Sequence, residues 1–207
     1  MPFVTISRMY GSGGSEIAAR VAKSLGWKLY DNDIVDAIAA KSGLPVAEVV
    51  AREERGPSMI ERISGAFTLG TPEAMPAFVE GTATTPDEEI VAATATIIEE
   101  AVKKGPAVLV GRGAQCLLAA RSDGLHVFCH APTAALIQGA ITRLGVPPAE
   151  AEKRVHDTNK QREQYVQRHW GRKWKSPLNY HLCVDTSFFG IDGSAELIAR
   201  AARERLR

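Results

Sequence analysis

The glycine-rich stretch Gly11-Ser12-Gly13-Gly14-Ser15 constrains this chain more than any other part of its sequence. A short apolar, β-branched run at 3–6 precedes it, and apolar residues at helical spacing follow it between 17 and 25. This order predicts a strand, a loop and a helix. Glycine and serine leave backbone N–H groups uncovered, and a helix N-terminus carries roughly half a positive charge. The stretch is therefore typical of a loop that holds an anion, with phosphate as the expected ligand.

The nucleotide-triphosphate loop G-x-x-x-x-G-K-[ST] is one interpretation of this stretch. Aligned on residues 8–15, the motif matches at Gly13 and Ser15, whereas Arg8 takes the first glycine position and Gly14 takes the lysine position. The lysine of this motif reaches the β- and γ-phosphates, so its absence is the main departure. A triphosphate loop here needs a cation from another part of the chain.

The dinucleotide loop G-x-G-x-x-G is a second interpretation, and a glycine turn without a ligand is a third. Gly11 and Gly13 match the dinucleotide motif, and Asp31 lies at the distance expected of an acidic residue that binds a ribose hydroxyl. The third glycine, however, is replaced by Glu16, which prevents close packing of helix on strand. The four-residue gap between Ile6 and Gly11 favours the wider triphosphate loop.

Further strands are predicted along the chain, each leading into helical sequence. The apolar or alternating runs that predict them lie at 27–30, 107–110, 125–131 and 180–186. Strands that alternate with helices fold into a doubly wound parallel sheet. The whole chain, 1–207, is long enough for one domain of this kind. We therefore expect a single α/β domain built on a five-stranded parallel sheet.

Two segments depart from the simple alternation of strand and helix. Residues 45–86 combine glycines and prolines with scattered apolar side chains, which is typical of a lobe that closes on a ligand or of a contact between copies of the chain. A plain surface loop is the alternative. Residues 147–176 contain a proline-initiated polar helix that is dense in basic residues, and we expect a lid over a polyphosphate there. A solvated charged face is the alternative.

Charged residues follow two predicted strands at the edge of the sheet where open α/β proteins bind ligands. Asp31 and Asp33 come after the second strand, where they suit a substrate hydroxyl or amine, or the shell of a magnesium ion; a helix cap is the alternative. Arg112 leaves the third strand between two glycines, and its guanidinium can grip a phosphate through two parallel hydrogen bonds. A surface arginine in a turn is the alternative for Arg112.

Composition excludes several broad classes of protein. The chain holds 25 basic and 24 acidic residues, so its overall charge indicates neither a nucleic acid nor an anionic membrane as partner. No apolar run approaches the length of a membrane span. Cys116, Cys129 and Cys183 lie in apolar runs, which predicts buried thiols in a reducing compartment and a cytoplasmic protein. His126 and His130 lie on one face of a strand without a third metal ligand, so we interpret them as structural.

Taken together, these patterns resemble the cytidylate kinase-like family of P-loop proteins over nearly the whole chain. The motifs that carry the resemblance are Ile6-Ser7-Arg8, Tyr10 to Gly14, Leu25-Gly26, Tyr30-Asp31, Val110 to Gly113, Val127-Phe128, Ala131-Pro132, Arg162 with Tyr165, Tyr180 and Asp185-Thr186. The resemblance implies the three-layer fold of a P-loop nucleoside monophosphate kinase, with helices on both faces of the sheet and a helical lid. It also implies ATP as phosphoryl donor, Mg²⁺, and a pyrimidine monophosphate, CMP, as acceptor.

The same resemblance implies roles for the candidate site residues. It implies that Gly11, Ser12, Gly13 and Gly14 cradle the donor phosphates, and Ser15 and Glu16, which follow them, are further candidates for binding the donor. On the acceptor side the resemblance implies Asp31 and Arg112, and it places Arg162 on the lid. Asn159 stands three residues before that arginine, at a position where the family carries an acidic residue.

Three functions remain open at this stage. The first is a kinase that moves the ATP γ-phosphoryl group to a CMP-like acceptor. The second is a nucleotide-binding protein with little or no turnover, acting as a sensor or scaffold, and the third is a kinase for another small metabolite. Because phosphoryl transfer depends on charge neutralisation, the first requires a cation in place of the missing lysine. Arg8, Arg162 and Arg172 are the candidates.

Overall fold

The computed structural model describes residues 1–31 and 86–206. The strands in these ranges are β1 (Phe3–Arg8), β2 (Lys28–Tyr30), β3 (Ala107–Val110), β4 (Gly124–His130) and β5 (Leu182–Asp185). They form one fully parallel sheet in the order β2-β3-β1-β4-β5, which confirms the predicted doubly wound arrangement. Residues 45–85 of the predicted lobe, and Asp33, lie outside the described residues.

Helices follow the strands and cover both faces of the sheet. Those in the described ranges are α1 (Gly14–Leu25), α2 (Pro86–Lys104), α3 (Ala114–Leu117), α4 (Thr133–Leu144), α5 (Pro148–Trp170) and α6 (Thr186–Arg205), with a 3₁₀ turn at Pro177–Asn179. Left-handed glycines end α1, α4 and α5, at Gly26, Gly145 and Gly171. Glycine is favoured there because it adopts this conformation without a steric penalty.

The sheet is buried on both faces, as its continuous apolar runs predict. The buried side chains on the face that packs against α1 and α6 include Val4, Ile6, Ile17, Val21, Val108, Val127 and Ile198. Those on the opposite face, which packs against α2 and α3, include Phe3, Ile98, Val102, Leu109 and Ala114. The domain therefore has three layers, and the carboxyl ends of all five strands open onto one edge.

The last helix begins earlier than the sequence predicts. The apolar pattern indicates a helix only from Ser194, whereas α6 starts at Thr186, directly after β5. The side chain of Asp185 explains the early start, because its Oδ1 accepts a hydrogen bond from Ser187 N at 2.9 Å and caps the helix. Gly190, with φ of 66°, then interrupts the helical backbone and produces a kink.

The helix predicted to carry a lid packs against the body of the domain. Ala151 and Val155 of α5 join a buried cluster with side chains of α4. Beyond the helix, Trp174 is only 2% exposed, and its Nε1 donates to Ser7 Oγ of β1 at 3.1 Å. The segment 147–176 is therefore anchored to the core at its C-terminal end.

The cysteines agree only in part with the prediction of buried thiols. Cys116 and Cys129 are buried, and burial raises the pKa of the Cys129 thiol to about 12. Cys183 is exposed, so the prediction is wrong for this residue. Cys183 lies on β5, which is an edge strand of the sheet in the described part of the chain.

His126 is a buried structural residue, in agreement with its interpretation from the sequence. Its Nδ1 and Thr5 Oγ1 are hydrogen-bonded at 2.8 Å, and its ring stacks on that of His181 with centroids 5.0 Å apart. Burial lowers the pKa of His126 to about 4, so the ring is neutral at physiological pH. Across residues 1–31 and 86–206, no three potential metal-ligating side chains come together, and no helix combines the length and apolarity of a membrane span.

Candidate functional site

The glycine-rich stretch forms the turn between β1 and α1. The backbone N and the Oγ of Ser12 both donate to Met9 O, at 3.2 and 2.7 Å, and these bonds close the turn. Gly13 is the N-cap of α1, with φ of 77°, and it has no side chain with which to cap the helix. The first-turn N–H groups, at residues 14–16, therefore receive no capping oxygen from Gly13. Uncapped N–H groups of this kind are typical of anion-binding sites at helix N-termini.

Two glycines of the turn face protein atoms that leave no room for a Cβ. At Gly11, with φ of 82°, a Cβ would overlap the carbonyl of Leu136 on α4. At Gly13, a Cβ would overlap the side chain of Ile191 on α6. The packing of α4 therefore requires glycine at position 11, and the left-handed backbone, with φ of 77°, favours glycine at position 13, whatever ligand the turn holds.

A groove lies over this turn and encloses about 780 Å³, open solvent included; we call it the loop groove. Its lining residues are Arg8, Met9, Tyr10, Gly11, Gly13, Gly14, Ser15, Glu16, Arg143, Leu144 and Arg162. The sequence-predicted loop residues are all among them except Ser12, which is buried with 1% exposure. Three arginines in one groove favour a polyanionic ligand.

Arg143 is a lining residue that the sequence analysis misses. It lies in the last turn of α4, and its Nη2 donates to Gly11 O. Gly139 allows the helix to come this close, because a Cβ there would overlap Gly11 O. In the sequence, a basic residue near a helix C-terminus is explained by the helix dipole alone. The glycine one turn before Arg143 is the signal that would have marked a close approach.

A second glycine-containing turn follows β3. Gly111, Arg112 and Gly113 have φ of 71°, 56° and 66°, so three successive residues adopt the left-handed region. A non-glycine residue is uncommon there. Burial lowers the pKa of the half-buried Arg112 to about 10, and the positive charge of Arg8 acts in the same direction. The guanidinium of Arg112 stays protonated at neutral pH and gains from any anion that enters beside it.

The cavity beside this second turn encloses about 620 Å³, open solvent included; we call it the β3 cavity. Its lining residues are Ser7, Arg8, Gly111, Arg112, Gly113, Gln115, Arg162, Tyr165, Val166 and Trp174. Arg8 and Arg162 line both the β3 cavity and the loop groove. These two arginines therefore form a cationic wall that the two spaces share.

The side chain of Arg8 runs between the two glycine-containing turns. A Cβ at Gly14 would overlap Cβ and Cγ of Arg8, and a Cβ at Gly111 would overlap its Nη1. Both glycines therefore make room for this side chain. Gly14 is the position that aligns with the lysine of the triphosphate loop. The arginine thus fills the space beside the missing lysine and carries its guanidinium toward the β3 cavity.

Two polar side chains of α5 contact the segment that leads into the glycine turn. Asn159 Oδ1 accepts a hydrogen bond from Tyr10 N at 2.8 Å, and Arg162 Nη1 donates to Arg8 O at 2.7 Å. The guanidinium of Arg162 also lies 5.9 Å from the centroid of the Tyr10 ring. These contacts bring Arg162 to the turn, as a lid residue would require.

The remaining predicted residues are less central. Asp31 follows β2, and its negative charge opposes the lowering of the pKa of Arg112 that burial causes. Glu16 lies on the rim of the loop groove and forms an ion pair with Arg20 at 2.9 Å. Arg172 lines neither the loop groove nor the β3 cavity.

Comparison with known proteins gives one family and one fold. The model of the cytidylate kinase-like family matches residues 3–188. The chain has no significant match among curated protein sequences.

Solved structures agree on the fold. An uncharacterized protein from Eubacterium ventriosum is 18% identical with a TM-score of 0.68, over 99% of this chain and 100% of the other. Shikimate kinase from Acinetobacter baumannii, in complex with shikimate, is 14% identical with a TM-score of 0.51, over 99% and 92%. Shikimate kinase from Bacteroides thetaiotaomicron is 13% identical with a TM-score of 0.53, over 98% of each chain. At these identities the likeness establishes the P-loop kinase fold and no substrate.

Proposed function

We propose that this chain, which belongs to the cytidylate kinase-like family, is an ATP-dependent kinase. On this proposal it transfers the γ-phosphoryl group of ATP to a pyrimidine nucleoside monophosphate, with CMP as the preferred acceptor. The loop groove takes the donor triphosphate, and the β3 cavity takes the phosphate of the acceptor. Family membership supports the kinase chemistry, and the distribution of cations supports the assignment of the two spaces.

The observation that carries this proposal is the wall of Arg8 and Arg162 between the two spaces. In phosphoryl transfer the attacking and leaving oxygens lie roughly in line, and charge on the transferred group must be neutralised between them. Cations that border both donor and acceptor spaces stay in contact with that group throughout the transfer. We therefore assign transition-state stabilisation to Arg8 and Arg162.

The residues around the loop groove fit a triphosphate. The first-turn N–H groups at residues 14–16 suit phosphate oxygens, and Arg143 adds a further cation on the α4 side. Ser15, exposed in the groove, aligns with the hydroxyl residue that contacts Mg²⁺ in triphosphate loops. Mg²⁺ in such sites takes most of its ligands from phosphates and water, so it needs no carboxylate cluster here. When bound, the ion would neutralise phosphate charge.

The β3 cavity fits the phosphate of a monophosphate acceptor. Arg112 presents a planar fork that matches a phosphate through two hydrogen bonds, and Arg8 and Arg162 line the same space. Three guanidinium groups close together favour a doubly charged ligand over a neutral one. Asp31, whose charge acts on Arg112, is our candidate for orienting the acceptor. The preference for a pyrimidine rests on the family.

The lid at 147–176 belongs to this proposal as well. In the described structure α5 brings Arg162 to the loop groove, which supports a closed arrangement of the segment. Arg172 lies outside both spaces, so we give it a catalytic role only in a state in which the segment after α5 has moved. The cytoplasm is the proposed location, and the small-molecule nucleotides are the proposed partners.

The absence of the triphosphate-loop lysine favours one alternative, a nucleotide-binding protein with little or no turnover. Arg8 is held between two turns and bonded through its carbonyl to Arg162, which is a more rigid arrangement than that of a flexible lysine. A protein of this kind would bind ATP in the loop groove and transfer nothing. A kinase for another small metabolite is the third candidate.

A coupled assay of ADP release separates these functions. We expect ATP- and Mg²⁺-dependent turnover with CMP, weaker turnover with UMP, and background rates with purine monophosphates and with shikimate. Calorimetry with ATP alone is run in parallel. Binding of ATP without turnover on any acceptor would establish the binding protein, and turnover confined to a non-nucleotide acceptor would establish a metabolite kinase.

A further inference from the structure

Two side chains on one face of α5 hold neighbouring backbone groups at the start of the glycine turn. Asn159 accepts from the N–H of Tyr10 at 2.8 Å, and Arg162 donates to the carbonyl of Arg8 at 2.7 Å. Residues three apart on a helix lie on the same face, so the two contacts act together. The helix is therefore hydrogen-bonded to the backbone of both residues next to Met9, Arg8 and Tyr10.

The contact from Asn159 is the one that has no other stated function. This side chain is only 6% exposed, it does not line the loop groove, and its amide oxygen is aimed at the peptide of Tyr10. Tyr10 and Met9 do line the groove. Met9 N is held separately, by Cys129 O at 2.9 Å. If the amide oxygen of Asn159 were removed, the Tyr10 N–H would lose its hydrogen-bond acceptor, while Met9 N would keep its own.

We propose that Asn159 is a positioning residue of the donor site. Through the Tyr10 N–H it holds the glycine turn in the conformation that binds phosphate, and it ties that conformation to the docking of α5. The inference rests on the proposed function, because it takes the ligand of the loop groove to be a triphosphate. Asn159 does not touch this ligand; it acts through the backbone of the turn.

A reciprocal coupling follows from this contact. If docked α5 favours the phosphate-binding conformation of the turn, a triphosphate in the loop groove must favour docked α5 to the same extent. ATP alone, without an acceptor, should then protect α5 from hydrogen exchange. Protection of α5 only when ATP and the acceptor are both present would mean that ATP binding and the docking of α5 are not coupled in this way.

Position 159 carries an amide in this chain, where the family carries an acidic residue. A carboxylate would accept the same hydrogen bond from Tyr10 N, but it would bring a negative charge next to Arg162 and the loop groove. That charge would compete with the phosphates for the same cations. Asn159 supplies the acceptor without the charge.

The test compares Asn159→Leu, which removes the acceptor, with Asn159→Asp, which keeps it and adds a charge. Thr94→Val is the matched control: Thr94 is 2% exposed on α2, and its hydroxyl donates to Ile90 O in its own helix, far from the glycine turn in the chain. The measurements on the full chain are hydrogen exchange at the Tyr10 amide by NMR and titration with ATP and with inorganic tripolyphosphate. Should Asn159→Leu fail to fold, Asn159→Ser, whose hydroxyl is too short to reach, replaces it.

We expect exchange at Tyr10 to accelerate at least about tenfold in Asn159→Leu and to stay near the wild-type rate in Asn159→Asp and Thr94→Val. Affinity for ATP and tripolyphosphate should fall about tenfold in Asn159→Leu, with the acceptor KM unchanged. Asn159→Asp should bind both anions more weakly while keeping Tyr10 protected. If Asn159 acts only through the overall stability of the fold, Asn159→Leu and Thr94→Val should lose affinity for the two anions to the same extent.

Unchanged exchange at Tyr10 in the folded Asn159→Leu variant would overturn the inference. So would faster exchange combined with wild-type affinity for both anions, because the contact would then not serve binding. If wild-type protein binds neither ATP nor tripolyphosphate, the proposed function fails and the donor-site role fails with it. In that case the exchange data still decide whether Asn159 holds the turn, which keeps the two failures distinct.

Discussion

The turns after β1 and β3 are built from the same parts, but they obtain their positive charge in different ways. Each follows a buried strand and ends in a left-handed glycine that begins a helix, Gly13 in one and Gly113 in the other. The turn after β3 carries its own cation, Arg112, inside the turn. The turn after β1 exposes backbone, and its cations come from β1 itself and from α4 and α5.

This difference separates a locally encoded site from an assembled one. The turn after β3 holds Arg112 between two glycines, so this cation is present wherever the strand and turn form, although the β3 cavity around it also takes Arg162 from α5. The loop groove becomes cationic only when Arg143 and Arg162 arrive on two later helices. We infer that the first can be recognised in a sequence, whereas the second depends on correct packing of the whole domain.

The largest expected effect tests whether the strand arginine replaces the lysine that the assembled site lacks. Arg8→Ala should lower kcat by roughly 10²-fold or more, as loss of a transition-state cation does, with a smaller change in ATP affinity. Arg8→Lys should recover part of the rate because it keeps a charge on a flexible stem. Steady-state kinetics check this, with melting temperatures as the control for folding. A normal kcat in Arg8→Ala would mean that Arg162 of α5, and not Arg8, takes the place of the lysine.

An intermediate effect tests the locally encoded site. Arg112→Lys keeps the charge and the left-handed backbone cost but loses the two-pronged fork, so the acceptor KM should rise about tenfold. The dissociation constant for ATP should stay unchanged. Measuring both constants in one variant is decisive, since comparable weakening of donor and acceptor would mean that Arg112 supports both spaces and that the two turns are not independent.

The smallest effect concerns how the turn after β3 is held in place. Gly113 and Gly145 have nearly the same φ, 66° and 65°, but a Cβ at Gly113 would overlap the ring of Trp170, whereas a Cβ at Gly145 meets nothing within 4 Å. Gly113→Ala should therefore destabilise by at least ~1 kcal/mol more than Gly145→Ala. Chemical denaturation measures the difference. Equal free energies of unfolding would show that Trp170 moves aside without cost and does not brace the turn.

The sequence predicts most of the fold because the sheet is buried on both faces. Runs such as Ala107–Val110 are continuous and apolar, and the left-handed glycine at Gly26 marks a helix end without ambiguity. The start of α6 is missed because it depends on the capping side chain of Asp185 and not on apolar periodicity. Exposure of Cys183 is missed because edge position follows from strand order, which the sequence does not state directly.

The candidate site follows the same division. Arg112 and the glycine turn are candidates from the sequence alone, because glycines next to them in the chain mark both positions. Arg143 is not, since its place over the turn depends on the close approach of α4 at Gly139. The contact between Asn159 and Tyr10 joins residues 149 positions apart, and no local pattern announces it. Contacts between residues that are far apart in the chain cannot be predicted from local sequence patterns.

The side chain of Arg8 between Gly14 and Gly111 also restricts how this chain can change. Arg8 stands at the first glycine of the triphosphate motif and Gly14 at its lysine, so exchanging both residues would restore the ordinary motif. We expect neither exchange to be tolerated alone. A lysine at 14 would collide with the arginine stem, and a glycine at 8 would leave the site without either cation. We therefore expect sign epistasis between positions 8 and 14 of this chain: each exchange alone should weaken ATP binding, and the two together should restore it.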